Sequence, residues 1–387
     1  MSNSFRTTNS NGLINKDKKI NFTFNGTIYH GYEGDTLASA LIANGVHLVG
    51  RSFKYHRPRG FLGVGVEEPN AMVQLHDGNK SEPNIIATEV ELVEGLKAKS
   101  QNCWPSVQFD IGEINNVLNR FFPAGFYYKT FMWPKSFWMK IYEPFIRKAA
   151  GMGKAPLLPD PDRYEHNYEH CDVLVVGSGP SGLASALAAA KNGARVILAE
   201  DKPNFGGSLL TDEVTIGNMS GKEWASDTIS QLKSMPNVIL KKRSQVFGYY
   251  DHNMTVMIER VSDHIENPSK YTPRQRLHYI RAGEVIVSTG SIERPISFGN
   301  NDRPGIVLAS AAKEYMKVYE TLVGKKPIIF TNNDTAYSTA LEFIKNDIEP
   351  IIVDTRDSSN GELVKEVQQK GISCLLYTSD AADDPAS

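Results

Sequence analysis

CDVLVVGSGPSGLASALAAAKNGARVILAED, residues 171–201, is the stretch that decides the fold. Asp172–Val176 is an apolar, β-branched run of the kind that forms a strand buried on both faces, and Gly177, Gly179 and Gly182 follow it at G-x-G-x-x-G spacing. Gly177 serves the tight turn out of the strand, Gly179 lets the backbone approach a pyrophosphate, and Gly182 lets the next helix pack closely on the strand. That helix is Ala-rich from Ala184 to Ala190 and stops at Asn192-Gly193, where glycine takes a left-handed cap. Its free N-terminal amides aim at bound phosphates. A second strand, Arg195–Ala199, ends at Glu200, 18 residues beyond Gly182. A carboxylate there accepts ribose hydroxyls and repels a 2′-phosphate, so NAD or FAD is favoured over NADP. Together these features predict a Rossmann dinucleotide-binding unit.

The chain has 387 residues, enough for two or three domains. Its 42 basic and 44 acidic residues leave a net charge of -2, so no global field draws it to nucleic acid or to an anionic membrane. Neither partner is expected. Cys103, Cys171 and Cys374 are far apart, odd in number and in no metal-ligand spacing, which excludes a disulfide framework and suits a reducing cytoplasm. Residues 1–18 are polar, lack the apolar core of a signal peptide and read as a mobile tail; no run of 18 apolar residues follows.

Residues 19–100 carry a different pattern. Asn21–Phe24 and Thr27–Tyr32 flank Asn25-Gly26, a hairpin signal. A helix follows from about Thr36 to Ala43, capped by Asp35 or Thr36 and ended by Asn44-Gly45, with further strands at Ala71–Leu75 and Ala87–Val93. This order resembles the β-grasp fold of [2Fe-2S] ferredoxins. A plant-type cluster needs C-x4-C-x2-C in one loop. In Phe61–Asn70 those positions fall on Leu62, Glu67 and Asn70, so the expectation is a cluster-free domain with no iron-sulfur cluster.

Arg51–Gly60 gathers Arg51, Lys54, Arg57, Arg59 and His56 with Phe53 and Tyr55. It reads as a solvated basic loop with two aromatic anchors, or as an anion or subunit contact; spacing identifies no partner to orient His56. Residues 101–170 form a linker dense in aromatics, including Phe121, Phe122, Phe126, Tyr127, Tyr128, Phe131, Trp133, Phe137, Trp138, Tyr142 and Phe145, broken by Pro123, Pro134 and Pro144. Burial between domains or against another subunit is expected, with the boundary at Gly151–His170.

After Glu200, Gly206-Gly207 let the chain pass near a cofactor, Val246 follows a short segment placed beside the adenine, and Val285–Ser288 reads as a buried strand leading to Thr289-Gly290, a crossover loop able to approach the pyrophosphate. Each of these also reads as an ordinary turn. Pro327–Phe330, a helix near Tyr337–Lys345 and Pro350–Asp354 make a second Rossmann-like unit without the glycine fingerprint, Asp354 standing in the ribose-acid position. The domain expectation is therefore a Rossmann domain over 171–300, an incomplete second lobe over 301–373, and a tail over 374–387 of non-native character. The fold class is α+β and α/β multidomain: a β-grasp domain followed by a two-lobed Rossmann-type FAD/NAD(P)-binding region.

GRSFKYHRPRG, VGVEEPNA, AGFYYKTFMWP, VVGSGPSGLASA, VSTGSIERP and RPGIVLASA together resemble the alpha subunits of heterotetrameric sarcosine oxidases, from about Asn21 to about Ile372. The resemblance implies an enzyme subunit that binds NAD, with FAD as the alternative on this chain, in a complex that also carries FAD and FMN. It implies beta, gamma and delta partner subunits and oxidative demethylation of sarcosine to glycine with release of hydrogen peroxide. Transfer of the one-carbon unit to tetrahydrofolate falls to a C-terminal domain absent from this sequence. Carried over by residue, NAD falls on Gly177, Gly179, Pro180, Ser181, Gly182, Glu200, Asp201, Lys202, Gly207, Val246, Thr289 and Gly290; no catalytic residue transfers, and no metal ligand. The fragment alone is expected to be inactive. The alternatives are a non-catalytic dinucleotide-binding assembly module, or a subunit of a related amine dehydrogenase or cyanide-forming glycine oxidase complex.

Overall fold

The computed structural model describes residues 5–7, 12–121, 125, 131, 133–149, 151–356 and 358–376. The chain divides into two compact units, residues 1–160 with 293–387, and residues 161–292.

The first unit opens with strands β1 (Asn15–Phe24) and β2 (Thr27–Glu33), which pair antiparallel through Asn25-Gly26. Both turn residues have positive φ, 50° and 81°, as a type I′ turn requires. Helix α1 (Leu37–Ala43) is capped by Thr36 in a capping box with Ser39 and is buried on every face. β3 (Met72–Leu75), β4 (Glu82–Ile86) and β5 (Leu96–Ser100) complete a five-stranded sheet in the order β2-β1-β5-β3-β4, with β1 and β5 parallel. The strand expected over Ala87–Val93 is absent: Ala87–Glu89 is a 3-10 turn, and pairing falls to Leu96–Ser100, where Leu96 and Ala98 face inward and the lysines outward. Period two was present there, in a segment too charged to stand out as a strand.

The expectation of a mobile tail over residues 1–18 does not hold for its described residues. Arg6 pairs with buried Asp35, its Nη1 donates to Tyr319 O at 2.6 Å, and its backbone bridges Thr321, contacts from residues some 300 positions away that no local pattern announces. In the linker, Phe122, Phe126, Tyr127 and Tyr128 lie outside the described residues. Trp133 and Phe121 are 82% and 76% exposed, so the expected burial is not met within this unit.

The second unit is built on a six-stranded sheet with helices, beside a short two-stranded ribbon at 215–220. Strand β6 (Tyr164–Val176) leads to helix α2 (Pro180–Lys191) and β7 (Val196–Ala199); α3 (Gly221–Ser234) follows, then β8 (Val238–Lys241), β9 (Ser244–Tyr250), β10 (Met254–Arg260) and β11 (Gln275–Val287). The order is β8-β7-β6-β11-β10-β9, parallel across the first four strands and antiparallel thereafter. β7 is buried on both faces: Val196 and Leu198 meet Leu183, Ala186 and Leu232 beneath the helices, while Ile197 and Ala199 meet Met257 and Ile280 on the other side.

β6 begins at Tyr164, inside the segment expected to be the domain boundary. Residues 164–170 are polar, and what makes them a strand is their partner β11: Tyr168 stacks on Tyr279 with ring centroids 5.0 Å apart, and Glu165 pairs with Arg276. His278 of β11 has a fully buried side chain and meets Glu169 Oε1 at 2.6 Å through Nδ1 and Glu259 Oε2 at 2.8 Å through Nε2. Two carboxylates on two ring nitrogens require the imidazolium form.

The chain then returns to the first unit with α4 (Ala309–Lys317), β12 (Ile328–Thr331), α5 (Thr335–Lys345), β13 (Ile351–Asp354), α6 (Glu362–Gln369) and β14 (Cys374–Leu376). β12, β13 and β14 form a parallel sheet under a core of Tyr337, Ala340, Phe343, Ile352, Val364 and Val367. Cys374–Leu376, assigned from sequence to a tail without strand character, pairs in register with Ile352–Asp354; residues 377–387 lie outside the described residues.

Burial alone would lower the His278 pKa, but the bonds to Glu169 and Glu259 outweigh it and hold it above the usual imidazole range. The His278 bond, aided by Lys241, brings Glu169 down to about 2 against its burial. The His278 contribution to stability is complete below the unfolded-state pKa of about 6.5 and is lost as pH rises through the raised folded value; that of Glu169 is complete above about 4.5 and is lost toward pH 2. His278→Leu should therefore cost about 3 kcal/mol near pH 6, by stranding two partly buried carboxylates. It should also flatten the alkaline fall in stability. Urea unfolding of both proteins from pH 5 to 9 checks this, and parallel pH profiles would refute it.

Candidate functional site

The turn between β6 and α2 is built by close backbone approach. Gly177 has φ 94°, and a Cβ there would stand 2.4 Å from Ser288 O. A Cβ on Gly182 would meet Gly177 O at 2.0 Å, so the first turn of α2 lies directly on the turn. Gly179 is different: a Cβ there would meet nothing within 4 Å, leaving open space at the N-cap of α2, with Pro180 at the first helical position. An open glycine at the end of a helix whose first amides lack partners is the cradle a pyrophosphate needs.

Glu200 ends β7 with 5% of its surface exposed. Its Oε2 accepts from Ser178 N at 3.0 Å and from the Ser178 hydroxyl, and its Oε1 from Lys202 N at 3.1 Å. Burial and then the neighbouring Asp201 push its pKa up to about 7, against the pull of the Ser178 and Lys202 bonds. Gly207 closes over the turn, a Cβ on it falling 2.8 Å from Gly179 Cα, and Gly206 N donates to Ser178 Oγ at 3.1 Å.

The structure thus brings together Gly177, Gly179, Pro180, Ser181, Gly182, Glu200 and Gly207, with Thr289 beside them, 3.2 Å from a Cβ on Gly177. Asp201 and Lys202 continue from Glu200; Arg260 donates to Asp201 O, and Arg243 N to Lys202 O. Val246 sits in β9, two residues past Ser244, whose amide bonds Glu200 O. Gly290 has φ 71° and open space around it. Ser178 escaped the sequence reading because fingerprint spacing counts glycines and leaves the intervening residues free. In the second lobe, Asp354 is buried and already bonded to Tyr337 Oη at 2.8 Å and to Arg356.

In the first unit, His56 does have an orienting partner: its Nδ1 lies 2.6 Å from Asp110 Oδ2, a residue 54 positions away. In the loop Phe61–Ala71, Glu68 accepts from the amides of Leu62, Gly63, Asn70 and Ala71, and Glu67 from those of Val64 and Gly65.

Residues 17–103 match a family model described as a 2Fe-2S iron-sulfur cluster binding domain, and residues 172–245 match one described as FAD dependent oxidoreductase. Sarcosine oxidase subunit alpha of Rhizobium meliloti (strain 1021) is 51% identical over 349 residues, 90% of this chain and 35% of that protein. That of Corynebacterium sp. (strain U-96) is 31% identical over 92% of this chain and 32% of its own length. The chain is a relative of sarcosine oxidase alpha subunits. It spans about a third of their length. Among solved structures, L-proline dehydrogenase from P. horikoshii aligns with a TM-score of 0.60 at 19% identity, over 94% of this chain and 57% of that one, a likeness of fold.

The match over 17–103 overturns the expectation of a domain with no iron-sulfur cluster. That expectation weighed three positions of one loop, whereas family likeness extends over the sheet and helix of the whole domain. The donors now seen in that loop are the carboxylates of Glu67 and Glu68, already engaged by backbone amides, and residues 17–103 contain one cysteine, Cys103. This donor set does not fit a thiolate-held cluster. No helix among the described residues is long and apolar enough to cross a membrane.

The two fingerprint glycines should separate on substitution. Gly182→Ala forces a Cβ onto a carbonyl and should destabilise the second unit by about 3 kcal/mol or more. Gly179→Ala enters open space at an N-cap and should cost less than about 1 kcal/mol. Thermal unfolding of the two variants gives the comparison, and equal losses would contradict the packing described.

Proposed function

We propose that this chain is the dinucleotide-binding part of a sarcosine-oxidising enzyme's alpha subunit, and that its first Rossmann lobe binds NAD. The observation that carries the reading is the open cradle at Gly179, walled by Gly177 and Gly207, beside a buried carboxylate at the end of the next strand. On this reading Gly177, Gly179, Pro180, Ser181 and Gly182 take the pyrophosphate on backbone groups, and Glu200, with Asp201 and Lys202 adjoining, takes the adenosine ribose. Gly207, Val246, Thr289 and Gly290 line the approach. NAD, when bound, supplies a hydride acceptor; the chain's own residues bind and orient it, and none is assigned a proton-transfer role. A second reading, FAD in the same cradle, is favoured by the family match over residues 172–245.

The whole enzyme, on this proposal, pairs the chain with beta, gamma and delta subunits. Sarcosine is demethylated oxidatively to glycine with hydrogen peroxide as product, FAD and FMN are held elsewhere in the complex, and tetrahydrofolate takes the one-carbon unit at a domain outside this sequence. The exposed Phe121, Trp133 and Phe145 support a partner surface. The N-terminal sheet and α1 are read as a β-grasp domain. A cytoplasmic location is part of the same proposal.

Purification with the neighbouring subunits, followed by identification of the released cofactors, tests the proposal; FAD on this chain would replace NAD by the second reading. Glu200→Ala should weaken NAD binding by about 1.5 to 3 kcal/mol and relax discrimination against NADP. Because Glu200 accepts a ribose hydroxyl more strongly as the carboxylate and its pKa is pushed up to about 7, affinity should fall as pH drops. The fall should reach about tenfold between pH 8 and pH 6 by calorimetry. Equal binding of NAD and NADP, at all pH values, would remove the ribose assignment.

A further inference from the structure

Resting on the dinucleotide reading above, we propose that Ser178 is a positioning residue of that site: its amide and hydroxyl orient the Glu200 carboxylate toward the ribose, while the same hydroxyl anchors the Gly206-Gly207 loop over the phosphate turn. Ser178 stands between Gly177 and Gly179 with no exposed surface. Its hydroxyl has one proton and two lone pairs. Gly206 N donates to it at 3.1 Å, so its proton is free for Glu200 Oε2, which also receives Ser178 N at 3.0 Å.

Two bonds on Oε2 and one from Lys202 N on Oε1 occupy three of the roughly four acceptor positions of a carboxylate. The group is held against rotation by these three bonds. Asp201 is the titratable neighbour that hydrogen-bonds Glu200; Ser244 reaches only its carbonyl, and Arg260 bonds the Asp201 carbonyl. The loop arm has its own evidence, since Gly207 packs on Gly179 so closely that a Cβ would fall 2.8 Å from Gly179 Cα. A hydroxyl shared between the ribose acid and this loop couples the two ends of the cradle. A purely structural serine would satisfy Glu200 without affecting which nucleotide binds or at what pH.

The test uses the full chain, calorimetry with NAD and NADP from pH 6 to 9, and the variants Ser178→Ala, Glu200→Gln and their combination. Ser178→Ala should weaken NAD binding roughly fivefold or more. It should also move the midpoint of the pH dependence upward, because a bond that stabilises the ionised carboxylate is gone. In the Glu200→Gln background the same change should have a smaller effect. Ser178→Cys, which keeps a weak donor of similar size, should fall between the two and stands in if the alanine variant does not fold. An unshifted pH midpoint, or equal losses in both backgrounds, overturns the positioning role while leaving the dinucleotide reading intact. Failure of the unmutated chain to bind either NAD or FAD overturns that reading and this inference with it.

Discussion

The contact of Gly182 with the carbonyl of Gly177 governs the second unit. With hydrogen in place of a side chain, the first turn of α2 sits on the turn that leaves β6, and three consequences follow from that one approach. Leu183 and Ala186 reach Val175, Val196 and Leu198 in the core beneath the helices. The helix N-terminus opens at Gly179. The end of β7 comes close enough for Glu200 to meet Ser178.

One end of the same sheet depends on polar and charged contacts. β6 and β11 are 13 residues each, and their polar halves hold together through Tyr168 on Tyr279, Glu165 with Arg276, and the buried His278 between Glu169 and Glu259. A buried imidazolium between two carboxylates is costly to assemble and costly to break. It adds a pH-dependent seam to a unit whose sheet is packed by apolar clusters on both faces.

In the first unit, distant segments converge on the N-terminal sheet. Arg6 reaches Asp35 and Thr321, Arg57 and Arg59 pair with Asp302, and Tyr315 Oη donates to Gly63 O at 3.0 Å beside the loop whose amides Glu67 and Glu68 engage. Burial pushes the Glu68 carboxyl up, and the four amides that donate to it offset part of that rise. In the second lobe Asp354 bonds Tyr337 and Arg356, whereas in the first Glu200 bonds Ser178 and Lys202.

By itself the sequence determined the hairpin at Asn25-Gly26, helix α1 with its caps, the glycine turn, α2 and the acid at Glu200. Each depends on φ preferences, capping or periodicity within about 30 residues, and those local preferences agree with the fold. The strand halves at 164–170 and 275–281, the place of β5, the ordering of Arg6 and the Asp110 partner of His56 were decided only by tertiary structure. They rest on partners as far as 315 residues away, and a polar strand has no pattern of its own until another strand supplies its hydrogen bonds. The site divides the same way: glycine spacing marked the cradle, but the hydroxyl that joins its acid to its covering loop became visible only when β7, the turn and Gly206 met in space.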